Sequence, residues 1–427
     1  MIIAINQSTS TNMNMNFNLR LEPIQQPLPG IRKIISDFSV IHLSNAVIAF
    51  LFAASAPIAI VLAIGADGGL TEAEIASWIF GGFTLNGLLC IIISIAYRQP
   101  LAFLWTIAGS VLVGSALQQS SFPEVIGAFC VTGLLLLVLG LSGWVKRIMA
   151  VLPLPIVMAM VAGVYLKFGL DLIHALGDDP KVAVPMTAAF ILLSLKSSVA
   201  KRFPPMIGVL VVGIMAVIIA GSFHPDTKFH YQLVTPTIFQ PEFSLATMVE
   251  LVIPLTVTVL AAQNAQGIVI LRNVGHNPPS NIITAACGGL SIITSIFGSV
   301  STCLTGPVNA ILSSGGKVEQ QYIAAVIIGL LAFMFGIHAP LLTKFLLAMP
   351  ASFIATLAGL ALIQILQSSF VVSFGGAFTL GALVSFLVTL ADQSLFNIGA
   401  PFWGMVFGLA TSWLLERKDF ASEANLN

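Results

Sequence analysis

Long apolar stretches separated by short polar segments run through almost the whole chain. A hydrocarbon core of about 30 Å is crossed by roughly 20 apolar residues in a helix. Twelve stretches are of about that length: 40–65, 73–96, 121–141, 152–176, 181–198, 205–223, 246–270, 280–296, 319–337, 351–368, 374–391 and 397–415. Two shorter segments, 100–117 and 298–313, are interrupted by Gly, Ser, Thr or Pro. The pattern predicts an all-α polytopic membrane protein with 14 transmembrane segments.

The charged residues lie almost entirely between these segments, so their positions predict the orientation of the chain. Lys and Arg accumulate in the cytoplasmic loops of membrane proteins. With the N-terminus inside and every segment crossing, 13 of the 17 basic residues fall on the cytoplasmic side. The four on the opposite side are Lys167, Lys181, Lys228 and Lys344. We therefore predict that both termini are cytoplasmic.

The two halves of the chain are weakly similar, which predicts an internal repeat. Pro153 and Pro350 end similar Lys-containing segments, and Gly163 and Gly359 lie in similar apolar runs, at offsets of 197 and 196 residues. One repeat contains seven crossings, an odd number, so the second copy must be inverted. Many secondary transporters have inverted repeats with paired broken helices and bind substrate near the midplane. We predict 7+7 inverted repeats, with a short extended stretch and a half-helix in each of segments 3 and 10.

This organisation divides the chain into two repeats, a loop and two tails. The parts are a polar cytoplasmic N-terminal tail (1–38), the first repeat (39–223), an external loop (224–245), the second repeat (246–415) and a cytoplasmic C-terminal tail (416–427). We expect Pro23, Pro27 and Pro29 to keep the N-terminal tail irregular. Met13 and Met15 are candidate alternative starts of the natural protein.

The composition excludes several classes of protein. Hydrophobic residues make up 57% of the chain and charged residues 8%, whereas a soluble globular protein carries roughly 25% charged residues. The 17 basic residues balance the 17 acidic ones, so we expect no nucleic-acid partner. A membrane enzyme is a weak third hypothesis because the spans contain no His/Asp/Glu cluster, and we expect neither enzymatic activity nor a cofactor. The four cysteines lie in apolar runs and are expected to act as small hydrophobic residues.

The two interrupted segments form the candidate substrate site. A helix that begins inside the membrane has unpaired N–H groups and a partial positive charge at its start, so it attracts an anion without a lysine. In segment 3 we predict a half-helix that begins at Thr106, beside Trp105. In segment 10 we predict one that begins near Cys303, beside Ser301 and Thr302. A substrate carboxylate would lie between these two helix starts.

Each polar or aromatic group near the breaks has two interpretations. The Ser/Thr cluster at 299–305 either bonds within its own helix or lines the site, and Gln263 and Asn264 in segment 8 either link helices or bind substrate. Trp105 is either an interfacial residue or an aromatic wall for a flat ligand. We favour the site in each case. Gln263 and Asn264 would then bond the carboxylate, with Trp105 and Ser55 beside it.

Titratable residues are absent from the middle of segments 1, 3, 8 and 10. Proton-coupled carriers commonly hold a titratable carboxylate beside the substrate. Under proton coupling, the substrate's own carboxylate or a peripheral group such as Glu250 would carry the proton.

Over roughly 40–415 the sequence resembles the benzoate membrane transport family of benzoate:proton symporters. The motifs are Ala96-Tyr97-Arg98-Gln99-Pro100 with Trp105 and Gly109, Phe168-Gly169-Leu170, Ala262-Gln263-Asn264-Ala265-Gln266-Gly267-Ile268, Ala358-Gly359-Leu360-Ala361-Leu362, and Trp403-Gly404. That family is similar to the uracil and sulfate carriers, which implies a core domain of segments 1–4 and 8–11 and a gate domain of segments 5–7 and 12–14. The paired carboxylates of the uracil carriers are missing, which argues against a nucleobase.

The resemblance implies a secondary active transporter in the bacterial inner membrane that imports an aromatic monocarboxylate such as benzoate. Protons are the expected coupling ion, and the mechanism is alternating access by an elevator or rocking movement. A carrier of another small anion or a nucleobase, and an anion channel, are alternatives. The expected partners are the substrate, protons and the lipid bilayer, with a homodimer as the candidate assembly and no bound metal.

Overall fold

The computed structural model describes residues 21–145, 147, 153–195, 205–223, 233–393, 395–396 and 398–424, and most of them are helical. The first half contains α1 (Ile31–Asp37), α2 (Val40–Asp67), α3 (Glu72–Tyr97), β1 (Phe103–Trp105), α4 (Ile107–Ala116), α5 (Phe122–Ser142), α6 (Leu154–Asp178), α7 (Pro180–Ser194) and α8 (Pro205–Ala220). The second half contains α9 (Leu245–Asn273), α10 (Ser280–Ser295), β2 (Thr302–Leu304), α11 (Gly306–Leu312), α12 (Val318–Ile337), α13 (Ala339–Leu347), α14 (Ala351–Phe374), α15 (Thr379–Ala391), α16 (Ala400–Leu415) and α17 (Arg417–Ala424).

Seven of these helices are long and apolar enough to cross a membrane: α2, α3, α5, α6, α9, α12 and α14. Six further apolar helices of 10–17 residues are shorter: α4, α7, α8, α10, α15 and α16. A helix lies within each of the twelve long apolar stretches, which confirms a predominantly helical membrane protein. The count of 14 crossings and the inverted arrangement of the two halves stay predictions.

Small residues let several helices approach one another closely. Gly133 of α5 lies against Gly288 of α10, where an added Cβ at position 288 would be 2.6 Å from the carbonyl oxygen of Gly133. Close contact of this kind is how helices associate in a membrane, because lipid supplies no hydrophobic force between them. α5 packs extensively on α10, and α6 on α14, and α10 also packs on β2.

Two π-helical turns interrupt the long helices. One covers Gly81–Leu85 in α3 and the other covers Thr258–Asn264 in α9. π-Turns inside α-helices frequently occur at functional sites. Strand β1 packs on the π-turn of α3 and β2 packs on that of α9, so both irregular turns support the same two strands.

The described part of the N-terminal tail is ordered by specific contacts and contains α1, so the expectation of an irregular tail is wrong for residues 31–37. The Glu22 carboxylate accepts hydrogen bonds from the N–H groups of Asn281 and Ile282 at 3.0 and 3.1 Å. Asp37 accepts from Tyr322 Oη at 3.0 Å and from Lys33 Nζ at 2.7 Å. Residues 21–37 therefore form a strap across the ends of α10 and α12. The candidate starts Met13 and Met15 lie outside the described residues.

Candidate substrate site

The two short strands pair as an antiparallel ribbon between the long helices. The register places Phe103 opposite Leu304, Leu104 opposite Cys303 and Trp105 opposite Thr302. Additional bonds extend the ribbon at each end, from Thr106 N–H to the Ser301 carbonyl (3.0 Å) and from Thr305 N–H to the Ala102 carbonyl (3.1 Å). The sequence predicted two short extended stretches, but it did not predict that they pair with each other.

Side chains satisfy the outer edges of this ribbon, as buried backbone groups require. On the β1 edge, Cys90 Sγ accepts from the Phe103 N–H (3.0 Å) and donates to its carbonyl (3.2 Å). On the β2 edge, Ser291 Oγ accepts from the Thr302 N–H at 2.9 Å. The expectation that the cysteines act only as small hydrophobic residues is therefore wrong for Cys90.

Asn264 completes the β2 edge. Its Oδ1 accepts the Leu304 N–H at 2.8 Å, and the side chain is fully buried. In the structure this amide therefore holds the strand in place. The neighbouring Gln263 is only half-buried, and its amide has no hydrogen-bond partner among the described residues. Both residues belong to the π-turn of α9, which packs on β2, α4 and α6.

The half-helix after β1 begins where the sequence predicts, because Thr106 is the N-cap of α4 and its Oγ1 accepts the Gly109 N–H at 3.1 Å. The predicted start near Cys303 is wrong. Cys303 is the central residue of β2, and α11 begins three residues later at Gly306, with Thr305 as its N-cap. The strands are antiparallel, so the two helix starts lie at opposite ends of the ribbon, each at the carboxyl end of its own strand.

The pairing assigns the side chains to two faces of the ribbon. Residues directly opposite each other share a face, and successive residues alternate. Trp105 and Thr302 therefore lie on one face, whereas Cys303 lies on the other. Cys303 packs in a small apolar cluster with Leu136 of α5 and Leu260 of the π-turn.

Trp105 packs within the core. Its ring makes an edge-on contact with Phe83, with centroids 4.7 Å apart, and it covers Gly82, where an added Cβ would be 2.9 Å from the indole. Only 3% of Trp105 is exposed. The indole thus abuts the π-turn of α3, and its polar atom, the Nε1–H donor, has no hydrogen-bond partner in the part of the chain that the structure describes.

Three buried polar atoms at this end of the ribbon lack partners among the described residues: Ser301 Oγ, Thr302 Oγ1 and Trp105 Nε1. A buried donor or acceptor without a partner costs about 1–3 kcal/mol, and each such group in a native protein calls for an explanation. Their residues lie at the ribbon end where the N-cap Thr106 begins α4, and the dipole of that helix favours negative charge at its start. The structure thus brings Trp105, Thr106, Ser301 and Thr302 to one end of the ribbon, where Trp105 and Thr302 share the face opposite to that of Cys303.

The remaining candidates lie elsewhere or cannot be placed. Ser55 is in α2, and its side chain lies outside the described residues. Glu250 is buried, with 3% of it exposed, and its carboxylate lies against Gly399, the N-cap of α16.

A cavity of about 740 Å³ opens between α2 and α4 on one side and α6, α14 and the α15–α16 connection on the other. Ligand pockets for small molecules measure about 300–1,000 Å³. Its lining includes Val111 and Ser115 of α4 and Phe168 of α6. Val111 is five residues after Thr106 and therefore about 7 Å along the helix, so α4 connects the cavity to the ribbon.

Charged residues of α6 also line this cavity, and the sequence interpretation missed them. They are Lys167, Asp171, His174 and Asp178, at spacings of four, three and four residues, which place them on one helical face. Lys167 lies 13 residues after Leu154 and 11 before Asp178, near the middle of α6, and its location on the side of the membrane opposite the cytoplasm stays a prediction. The regular spacing of these polar residues within an otherwise apolar stretch was the feature of the sequence that could have revealed them.

A family profile described as benzoate membrane transport protein matches residues 36–414. The chain belongs to this family. The benzoate membrane transport proteins are membrane transporters and not enzymes, which confirms the resemblance and the expectation of a non-enzymatic membrane protein.

Two relatives illustrate the relationship. The inner membrane protein YdcO of Escherichia coli (strain K12) is 30% identical over 344 residues, or 80% of this chain and 87% of that protein. The benzoate membrane transport protein of Acinetobacter baylyi is 24% identical over 387 residues, or 89% of this chain and 96% of that protein.

Solved structures share the fold at lower identity. The transmembrane domain of the cyanobacterial bicarbonate transporter BicA superimposes with a TM-score of 0.59 at 15% identity, covering 87% of this chain and 98% of that one. SLC26A9 superimposes with a TM-score of 0.61 at 17% identity, covering 89% of this chain and 65% of that one. This family member therefore has the fold of anion-transporter membrane domains.

Proposed function

We infer that this protein imports an aromatic monocarboxylate such as benzoate together with protons. Membership of the family supports the transporter class, and a relative named as a benzoate membrane transport protein supports the substrate class. The observation that carries the proposal within the molecule is the group of unpartnered atoms at Trp105, Ser301 and Thr302.

The substrate carboxylate would bind at the first turn of α4, where hydroxyls and N–H groups are available. Ser301 and Thr302 would donate to it, and the half-buried Gln263 amide would reach it from the π-turn of α9. Asn264 acts indirectly in this scheme, by holding β2 through the Leu304 N–H. Neutral donors at a helix start stabilise an anion through fixed dipoles, without the cost of burying a second charge.

Transport would follow from movement of one group of helices against the other across the cavity. The group with α2–α5 and α9–α12 would carry the ribbon, and the group with α6–α8 and α14–α16 would form the gate. The proposal includes 14 crossings, broken helices in segments 3 and 10, and cytoplasmic termini. The substrate would alternate between the two sides as the ribbon moves past α6.

A thermal-shift panel on the purified protein tests the substrate class. Benzoate and substituted benzoates should raise the melting temperature with saturable concentration dependence, because a ligand that binds only the folded state stabilises it. Uracil and sulfate are the comparison ligands. Stabilisation by uracil or sulfate, with none by any aromatic acid, would replace the proposal with a nucleobase or inorganic-anion carrier.

Uptake kinetics separate the carrier from a channel that uses the same helix start. A carrier should show saturable uptake that an uncoupler abolishes. Uptake that rises linearly with substrate and persists with the uncoupler would identify a channel.

A further inference from the structure

The charged face of α6 lies in a place where charge is costly. Lys167 is about 16 Å along the helix from Asp178, and an ionisable group at such depth in a membrane helix must face protein partners or water. Lys167 lines the cavity, and its side chain is exposed there. No carboxylate of the described residues lies within 4 Å of its Nζ. The ammonium is therefore available to an anion that enters the cavity.

Asp171 lies one turn from Lys167 on the same face and is half-buried. The charges of Lys167, His174 and Asp67 act on it. The helices that pack on α6 contribute few other charges to this space. The titratable and charged groups facing the cavity are Lys167, Asp171, His174 and Asp178 of α6, Asp67 at the end of α2 and Asp392 after α15.

We propose that Lys167 and Asp171 form a vestibule site that takes the carboxylate of an aromatic acid together with one proton. This inference rests on the proposed function. Lys167 would pair with the carboxylate while Asp171 accepts the proton, and apolar residues such as Phe168 and Ile64 of the same cavity would contact the ring. Val111 and Ser115 of α4 then lead from this site toward Thr106.

Charge balance explains why the two ligands enter together. Before binding, Lys167 and Asp171 carry one positive and one negative charge. After binding, the ammonium faces the substrate carboxylate and Asp171 is neutral, so the net charge of the site is unchanged. Adding the anion alone would leave an uncompensated negative charge at membrane depth, which is unfavourable. The site therefore predicts electroneutral transport of one proton with each monocarboxylate.

Substitutions of the two residues should separate affinity from coupling in benzoate uptake by proteoliposomes. Lys167→Met should raise KM about tenfold or more, and Lys167→Arg should keep KM within about threefold of wild type. In the wild type KM should rise as the pH becomes more alkaline, because the proton that Asp171 takes up with the substrate is then scarcer. Asp171→Asn should remove this dependence and the accumulation driven by a proton gradient, while facilitated exchange of benzoate continues.

Matched controls are available on the exposed surface. Lys181→Met removes an exposed lysine at the start of α7, and Glu72→Gln removes an exposed acid at the start of α3. Both should leave KM and its pH dependence unchanged. Glu250→Gln should also keep the pH dependence, since Glu250 does not line the cavity.

Several results would overturn the inference. Folded Lys167→Met and Asp171→Asn proteins, verified by size-exclusion chromatography and thermal melting, that retain wild-type KM and pH dependence would contradict it. Loss of pH dependence in Glu250→Gln alone would assign the proton to Glu250. A wild-type protein that carries no aromatic acid would instead refute the proposed function.

Discussion

The β1–β2 ribbon and the cavity face of α6 use polar groups in opposite ways. At the ribbon all groups are neutral, and most are fixed by partners such as Cys90, Ser291 and Asn264. On α6 the groups are charged, and Lys167 has no carboxylate within 4 Å among the described residues. Fixed dipoles favour selection by shape and geometry, whereas free charges favour attraction and proton exchange. The two proposals together therefore assign selectivity to the ribbon and coupling to α6.

The largest effect on transport is expected from removing the support of the ribbon. Asn264→Ala leaves the buried Leu304 N–H without its acceptor, which should cost about 1–3 kcal/mol of stability and reduce uptake more than tenfold. Thermal melting and uptake measure the two effects. Gln263→Ala is the control, because its amide has no partner in the described structure, and it should raise KM without lowering the melting temperature. Normal melting and uptake by Asn264→Ala would refute the supporting role.

Two serines near the ribbon distinguish binding from support. Ser301 Oγ is buried without a partner in the described part of the chain, so Ser301→Ala should weaken benzoate affinity roughly five- to tenfold, about 1 kcal/mol, without destabilising the ligand-free protein. Ser291→Ala loses the acceptor of the Thr302 N–H and should lower the ligand-free melting temperature. Equal melting losses in both variants would show that Ser301 is a structural residue.

A smaller effect, on the stability of the protein, is expected where Trp105 packs on Gly82. An added Cβ at Gly82 would be 2.9 Å from the indole, so Gly82→Ala should cost about 1–3 kcal/mol through overpacking. At Gly289 the nearest atom is 4.0 Å away, so Gly289→Ala is the matched control and should be neutral or slightly stabilising. Chemical denaturation would compare the two. A fully stable Gly82→Ala protein would mean that Trp105 has room to move.

The smallest effect on transport is expected at the N-terminal strap. Burial raises the pKa of Asp37, but hydrogen bonds from Lys33, Tyr322 and Gln320 outweigh it and hold this pKa below its ordinary value of 3.8. Its contribution to stability is therefore present above the unfolded-state pKa and is lost as the pH falls through the lower folded value. Hydrogen exchange of residues 31–37 should increase at acidic pH, and Asp37→Asn should show that increase already at neutral pH with normal uptake. Unchanged protection in Asp37→Asn would contradict this role.

The helices could be predicted from sequence because each apolar stretch is long and continuous. The N-cap at Thr106 was also predictable, since a Thr that follows an extended stretch suits a helix start. The pairing of β1 with β2 was not, because each strand has three residues and the pairing joins positions about 200 residues apart. Because Thr302–Leu304 form β2, α11 begins at Gly306 and not near Cys303 as predicted.

The sequence predicted which residues form the candidate site better than it predicted how they are arranged. Trp105, Thr106, Ser301 and Thr302 do meet at one end of the ribbon, but their orientation depends on strand register, which no local signal fixes. That Lys167 lines a cavity could not be predicted, because an end-of-span position and a cavity-facing position have the same composition. Only the spacing of Lys167 from Asp171 distinguishes the two.

Benzoate accumulation by proteoliposomes containing the purified protein tests the central claim most directly. Under an inward-directed proton gradient, labelled benzoate should accumulate above its external concentration, and an uncoupler or the Ser301→Ala variant at low substrate should strongly reduce the accumulation. Liposomes that carry uracil or an inorganic anion, but accumulate neither benzoate nor a substituted benzoate, would contradict the account.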